Sequence, residues 1–373
     1  MNKIICFVTT GDIKNNASSK RALGHANHLS DLGWQVCILM QDTIENRHRV
    51  ELECSKDIVI KYFPSCKPSN ERKIKNCIIK KINPDYIYLC AFVNRNIVAR
   101  HHKCKKIVEH SEYRSSYPKF SRFRRFLMYC QEELSIFYAD GFVNASRTLN
   151  EIFKKRATKV RRNIPMLYLP YAFHKKMCVR INGVIPNILQ SDENRIVVFL
   201  GTLGAGYGVY TMIDAFRLLK NDYPHLNLLL LGKGAEYNDV VKYIKEKGVS
   251  DVIYAPGFIA EEDVPSYFSI ADAFILPMND NLKDWTRCPS KLYMYLPYQK
   301  PIITCKIGEP YEVLKENGCY YIPSDVKSLY ECVKKLAGTN EWTMSMNIEE
   351  HEWKSRTETL HNWINQSFDD KNC

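Results

Sequence analysis

Two cations stand four residues apart in DNLKDWTRCPSKLYMYLPYQKPIIT, residues 280–304. They are Arg287 and Lys291, with Pro289 and Ser290 between them and an apolar run behind. Proline suits the first turn of a helix, so a helix is expected to begin near Pro289–Ser290. Side chains at this spacing share a helix face. An arginine fork beside a lysine point charge is chemistry for a diphosphate. A solvated basic pair is the plainer reading, and both stay open at this point.

Glycines supply the second element of that chemistry. GTLGAGYG, residues 201–208, follows the apolar run RIVVFL. Gly204 and Gly206 give backbone that can approach a ligand closely, and a helix N-terminus behind such a turn attracts phosphate. Gly11 in TTGD follows the first apolar run in the same way. Neither loop has the Gly-x-Gly-x-x-Gly spacing of a dinucleotide site, so no such cofactor is expected. His110 in VEHSEY follows another apolar run and is the acceptor-side catalytic candidate, although a lone histidine serves equally as a structural hydrogen-bonding residue. No Asp-x-Asp triplet and no Cys/His cluster of zinc spacing occurs, so no metal is expected.

These residues need a scaffold, and the apolar runs describe one. KIICFV (3–8) is nearly continuous, the pattern of a strand buried on both faces. After TTGD, residues 18–33 read as a helix capped by Ser18 or Ser19 and ended by Gly33. WQVCILM (34–40), DYIYLCAFV (85–93), KIVEHS (106–111) and DGFVNAS (140–146) read as strands, and 123–139 as a helix. A second start comes at 195, where strands and helices alternate again through RIVVFL, VYTMIDAFRLL, LNLLLL, VIYAPGF and DAFILP. Alternation of this kind means an α/β fold with open parallel sheets. Periodicity fades near 172–190, which divides the chain into domains at 1–175 and 190–340. An amphipathic helix over 349–368 closes the chain.

Lys+Arg 53 against Asp+Glu 41 leaves a net charge of +12, which suits phosphates, acidic headgroups or nucleic acid. Residues 119–126 mix Lys119, Arg122, Arg124 and Arg125 with Phe120, Phe123 and Phe126. Such a helix either lies on an anionic membrane surface or packs its rings inward. KKRATKVRR (154–162) adds charge, but no nucleic-acid module is present. The 14 cysteines include Cys6, Cys37, Cys90 and Cys305 inside apolar runs, which read as core residues of a reducing cytosol. The first apolar run is too short for a signal peptide and none is long enough to span a membrane, so a cytoplasmic protein is expected, peripheral at most.

Residues 195–304 resemble the C-terminal domain of GT-B glycosyltransferases, in the family called glycosyl transferases group 1. The resemblance rests on the order of VVFLGTLGAGYGVYTMIDAFRLL, LNLLLLGKGAEYNDV, VIYAPGFIAEEDVPSYFSIADAFILP and CPSKLYMYLPYQKPII. HANHLSDLGWQVCIL, NPDYIYL, VEHSEY and YADGFVNASRTLNEIF are similar to its first half, and HEW…TETL to its final helix. The resemblance implies two Rossmann-like domains facing a cleft, with the C-terminal helix crossing back to the first. It implies transfer of a sugar from a nucleotide-diphosphate donor to a glycan or lipid-linked acceptor. Retention of configuration, no metal or cofactor, and a place in surface polysaccharide or glycolipid synthesis come with it. Its site residues would be His110 beside the transferred sugar, and Arg287, Lys291, Gly204 and Gly206 at the diphosphate. Gly232, Ser290 and Glu309 would hold nucleotide and sugar, and Gly11 would lie in the acceptor-side loop.

The sequence departs from that pattern in two places. Thr202 and Tyr207 stand where the family often has the loop's Arg and Lys, and Thr286 and Met294 stand where it has the two acids of Glu-x7-Glu. Asp280, Asp284 or Glu309 could replace an acid. A non-catalytic sugar-nucleotide or partner-binding subunit and a sugar-nucleotide 2-epimerase are the alternatives that these departures keep open.

Overall fold

The computed structural model describes residues 3–13, 17–99, 103–174, 194–339 and 342–368. It divides into two compact units: Met1–His174 with Thr286–Ser290 and Glu349–Cys373, and Lys175–Trp285 with Lys291–Ile348. The loss of periodicity expected over 175–190 lies outside the described residues.

The first unit runs β1 (Ile4–Val8), α1 (Ala17–Asp31), β2 (Gln35–Gln41), α2 (Ile44–Glu53), β3 (Val59–Phe63), α3 (Pro68–Ile82) and β4 (Tyr86–Leu89). It continues through β5 (Lys105–His110), α4 (Arg122–Tyr138), β6 (Gly141–Asn144), α5 (Arg147–Lys159) and β7 (Met166–Tyr168). The seven strands lie in the order β3-β2-β1-β4-β5-β6-β7, and every pair is parallel. β1 sits at the point where the order turns, with Cys6 level with Cys37 on one side and Ile87 on the other. Its residues Ile5 to Val8 are buried, as continuous apolar runs in parallel sheets require. Separate apolar clusters fill the two faces, one through Ile5 and Phe7 and the other through Cys6 and Val8. The sequence reading passed over α2, β3 and α3. β3 is an edge strand that alternates exposed and half-buried residues, so it lacks the continuous run that marked its neighbours.

The second unit runs β8 (Arg195–Leu200), α6 (Val209–Leu219), β9 (Leu226–Leu231), α7 (Tyr237–Glu246), β10 (Ile253–Gly257), α8 (Val264–Ser269) and β11 (Ala273–Leu276). After it come α9 (Leu282–Thr286), α10 (Ser290–Tyr295), β12 (Ile302–Thr304), α11 (Gly308–Leu314), β13 (Gly318–Tyr320) and α12 (Val326–Thr339). Its sheet, β10-β9-β8-β11-β12-β13, is parallel throughout. Order turns again at the first strand, β8, and the loop leaving that strand's carboxyl end is where such sheets bind ligands.

The closing helix α13 (Trp353–Phe368) belongs to the first unit. It lies on α1, where the His25 ring and Thr357 hydroxyl meet at 2.8 Å and Trp34 Nε1 donates to His361 Nδ1 at 2.8 Å. The Trp353 indole covers Gly24 so closely that a Cβ there would fall 2.4 Å from it. Among the described residues no helix is long and apolar enough to cross a membrane.

Candidate functional site

The loop after β8 has its path fixed by backbone contacts. Gly201 N–H donates to Leu231 O at 2.8 Å, and Gly232 N–H to Gly257 O at 2.8 Å. Gly232 has φ +129°, and a Cβ on it would lie 1.9 Å from the Gly201 carbonyl oxygen. Only glycine lets β9 leave the sheet this close to Gly201. Its selection is thus explained by packing, without invoking the nucleotide. A short turn over Ala205–Tyr207 leads to Gly208, at φ +72°, which opens α6.

Lys291 stands at the start of this loop. A Cβ built on Gly201 would lie 3.3 Å from its Nζ. The placement follows from α10. Tyr295, four residues on, accepts from Leu200 N–H at 3.0 Å and stacks on Phe274 at 4.4 Å. Residues four apart share a helix face, so the anchor that ties Tyr295 to β8 turns Lys291 to the loop.

Lys283 stands at the other end. Its Nζ is 5.2 Å from the centre of the Tyr207 ring, within cation–π range. Sequence reasoning missed it, because a lysine in the five-residue α9 carries no pattern. The segment bearing it is held to the loop by Asn279, whose Nδ2 donates to Gly206 O at 3.1 Å. Asn279 N and Nδ2 also donate to Asp284 Oδ2, at 2.8 and 3.2 Å. Tyr207, which replaces the family's loop lysine in sequence, therefore has a lysine over its ring in space.

An acid from just before α7 also reaches this loop. Glu236 Oε2 accepts from Ala205 N–H at 3.0 Å, and a Cβ on Gly204 would meet Glu236 Oε1 at 2.9 Å. The backbone donor beside Gly204 is thus taken by a carboxylate, whereas Gly206 has open space beside it. A second anion is disfavoured at Ala205 by like charge and favoured toward the lysines.

Several expected site residues take other positions. Arg287 lies in the non-helical link between α9 and α10 and clusters with the first unit, while Lys291 lies on α10 in the second. The shared helix face expected for the pair does not form, because α10 begins only at Ser290. Asp284 is fully buried and spent on Asn279, and Lys283 Nζ is 3.8 Å from it. Glu309, near the start of α11, is buried and accepts from Tyr293 Oη at 3.0 Å. Asp280 accepts from Trp285 Nε1 at 2.7 Å. Asp284 and Glu309 are thus closed off as replacements for the missing acids, whereas Asp280 is exposed. Among the described residues no group of three or more His, Cys, Asp or Glu could hold a metal.

His110 is a core residue of the first unit, 6% exposed. Its Nε2 is 3.1 Å from Ser135 Oγ on α4, and its ring stacks on Phe153 of α5 at 3.8 Å. Burial, with Arg156 nearby, pushes its pKa down to about 3. The ring is neutral at pH 7, with one N–H and one lone pair rather than a charge. The Ser135 and Phe153 contacts are those of the structural reading. Gly11 has φ +64° in the loop after β1, a Cβ on it would lie 4.0 Å from Gln41 Oε1, and Asn46 Nδ2 donates to its carbonyl at 3.2 Å.

Two buried polar networks in the first unit escaped the sequence reading. Lys75 donates to Thr9 O, Asn96 Oδ1 and Glu71 Oε1 at 2.9, 2.6 and 2.6 Å, and burial pushes its pKa down to about 8. Arg21 pairs with Glu109 at 2.7 Å, and Tyr88 Oη donates to the same carboxylate at 2.8 Å. Both networks use all or most of their donors internally, which marks them as structural.

Residues 184–351 match the family model described as Glycosyl transferases group 1. The chain is 29% identical over 92 residues to mannosylfructose-phosphate synthase of Agrobacterium fabrum, covering 22% of this chain and 20% of that protein. The match thus spans a fifth of that relative's length. The fold is similar over nearly its full length to a sucrose-phosphate synthase of Thermosynechococcus elongatus, with TM-score 0.70, 17% identity, and 99% and 97% of the two chains covered. It is similar also to Anabaena HepE in complex with UDP and glucose, with TM-score 0.68, 14% identity, and 98% and 95% covered. At these identities the likeness is one of fold: two Rossmann-like domains.

Proposed function

We propose that this chain, a GT-B protein whose second unit carries a glycosyl transferases group 1 domain, moves a sugar from a nucleotide-diphosphate donor to a glycan or lipid-linked acceptor. The observation that carries the reading is the pair of lysines at the two ends of the second unit's glycine loop, Lys291 by Gly201 and Lys283 over Tyr207. In this transfer the acceptor hydroxyl oxygen bonds to the anomeric carbon. The bond from that carbon to the phosphate oxygen breaks, its electron pair stays on the diphosphate, and the hydroxyl proton follows. Charge therefore builds on the leaving group, where fixed cations and backbone N–H groups are most effective. Lys291 and Lys283 supply those cations in place of the residues absent at Thr202 and Tyr207. A donor carrying UDP is favoured by the likeness to HepE. Retention of configuration, cytoplasmic residence and a role in surface polysaccharide or glycolipid synthesis complete the proposal.

One observation favours a second reading. Asp284 and Glu309 are buried on structural partners, so neither is placed to steady the sugar. A subunit that binds nucleotide sugars without transferring them fits that arrangement. Thermal-shift titration with a panel of nucleotide sugars, followed by product analysis, separates the readings. Selective stabilisation that disappears in Lys283→Ala/Lys291→Ala, with product when an acceptor is added, supports transfer. Stabilisation without product across acceptors supports the binding subunit. A changed nucleotide sugar released without acceptor identifies a 2-epimerase, and no stabilisation by any member rejects the donor site.

A further inference from the structure

Helix α4 has two apolar faces, and only one of them is used. Met128, Ser135 and Ile136 are buried against the unit, with Glu132 accepting from Ser115 N and Oγ at 3.0 and 2.7 Å. The opposite face carries Phe123, Phe126, Leu127, Leu134 and Phe137, at the i, i+3, i+4 recurrence of one helical stripe. All five are exposed, Phe123 at 71%, Phe126 at 61% and Phe137 at 58%. The stripe is about 20 Å long at 1.5 Å per residue. The inward packing of these rings that the sequence left open does not occur. Six of the 17 exposed large apolar residues among the described residues lie on this one helix, counting Tyr129, so the exposure is concentrated rather than scattered.

Charge at the patch has one sign. Arg122 and Arg124 flank Phe123 on the exposed turns, and the Arg124 guanidinium lies 4.3 Å over the Phe120 ring, with Lys119 Nζ 5.2 Å from the same ring. The two acids of α4, Glu132 and Glu133, both pair with Arg156 of α5. No acid on this helix is left to oppose the cations.

We infer that this face of α4 docks on an anionic lipid surface, with Phe123, Phe126, Leu127, Leu134 and Phe137 in the acyl boundary and Lys119, Arg122 and Arg124 at the headgroups. Rings on one stripe with cations beside them are what an interfacial helix requires, and the helix lies on the membrane rather than crossing it. A second copy of the chain fits less well, because a two-fold contact would set these cations against themselves. The inference does not rest on the donor site, and its test uses no nucleotide.

The full chain is sedimented with vesicles of pure phosphatidylglycerol and of pure phosphatidylcholine. The wild type is expected to pellet with the first and to stay in solution with the second. Phe123→Ser/Phe126→Ser and Arg122→Gln/Arg124→Gln are each expected to weaken binding about tenfold or more, since each cation and each buried ring contributes separately. All four residues are exposed, and unchanged thermal melting of each variant shows that it is folded. A wild type that stays in solution with both vesicles overturns the inference. So does loss only in the arginine variant, which would mark a plain polyanion surface. A concentration-dependent dimer that the serine variant abolishes would give the face to a second copy, and overturns it too.

Discussion

Three histidines of the first unit make its stability fall steeply in mild acid. His25, His110 and His351 are all buried. Burial holds His110 at about 3 and His351 at about 4, and it pushes His25 well down from its usual value. For His351 two neighbours disagree: Glu350 at 3.4 Å would favour the charged ring, while Arg356 at 2.7 Å from Nδ1 disfavours it. Glu350 is mostly exposed and Arg356 makes the closer contact in the interior, so the neutral ring prevails. An unfolded histidine takes up its proton below about 6.5, whereas these folded rings do not. Stability is therefore whole above pH 6.5 and is lost as pH falls toward the folded values. At pH 5 the gap is about 1.5 pH units, or about 2 kcal/mol each for His110 and His351 at 1.36 kcal/mol per unit. His25 adds in the same direction. About 4 kcal/mol or more is a large share of the roughly 5–15 kcal/mol that holds a domain. Hydrogen exchange read on β5 peptides in a urea series at pH 7.5 and pH 5 measures the loss within the first unit. His110→Gln is expected to flatten that pH dependence by about 2 kcal/mol. An unchanged slope in this variant, or a His110 resonance titrating near its usual value, would refute the burial argument.

Other perturbations test the packing around that core and the loop. Gly24→Ala puts a Cβ 2.4 Å from the Trp353 indole and should cost about 2 kcal/mol by overpacking, read as a lower melting temperature. An unchanged melt would mean that α13 does not sit on α1. Lys75→Met leaves the buried Glu71 with Arg95 alone and should cost about 3 kcal/mol in urea unfolding, a cost that a second change of Glu71 to Gln relieves. Asp284→Ala leaves Asn279 with Gly206 O and should lower stability by about 2 kcal/mol while loosening the segment that carries Lys283. Preserved exchange protection at Asn279 would show that the carboxylate is not its anchor.

Continuous apolar runs made most of the scaffold legible. KIICFV and LNLLLL are buried on both faces, and a strand so placed has no polar side to disguise it. Glycines marked the exits, since Gly11 and Gly208 hold positive φ that other residues avoid. Residues 44–82 were illegible because α2 and α3 are mostly polar and β3 lies at an edge. The site was read less well than the fold. The helix start expected near Pro289–Ser290 falls at Ser290, which leaves Arg287 outside α10, so the two cations are close in sequence but share no helix face. Lys283 reaches Tyr207 across 76 positions of sequence, a proximity made by the sheet and invisible to spacing. His110 ends a strand in a way that suits a ligand or a core equally, and only α4 and α5 closing over it decide the matter.

The central claim is that a nucleoside diphosphate is held by the lysines of the second unit's glycine loop. Calorimetric titration of UDP into the wild type, Lys283→Ala and Lys291→Ala measures it directly. Each substitution is expected to weaken binding roughly tenfold, the effect of one charge-assisted contact of about 1.5 kcal/mol, and to weaken UMP less. Equal affinity for UDP in all three proteins would contradict the claim.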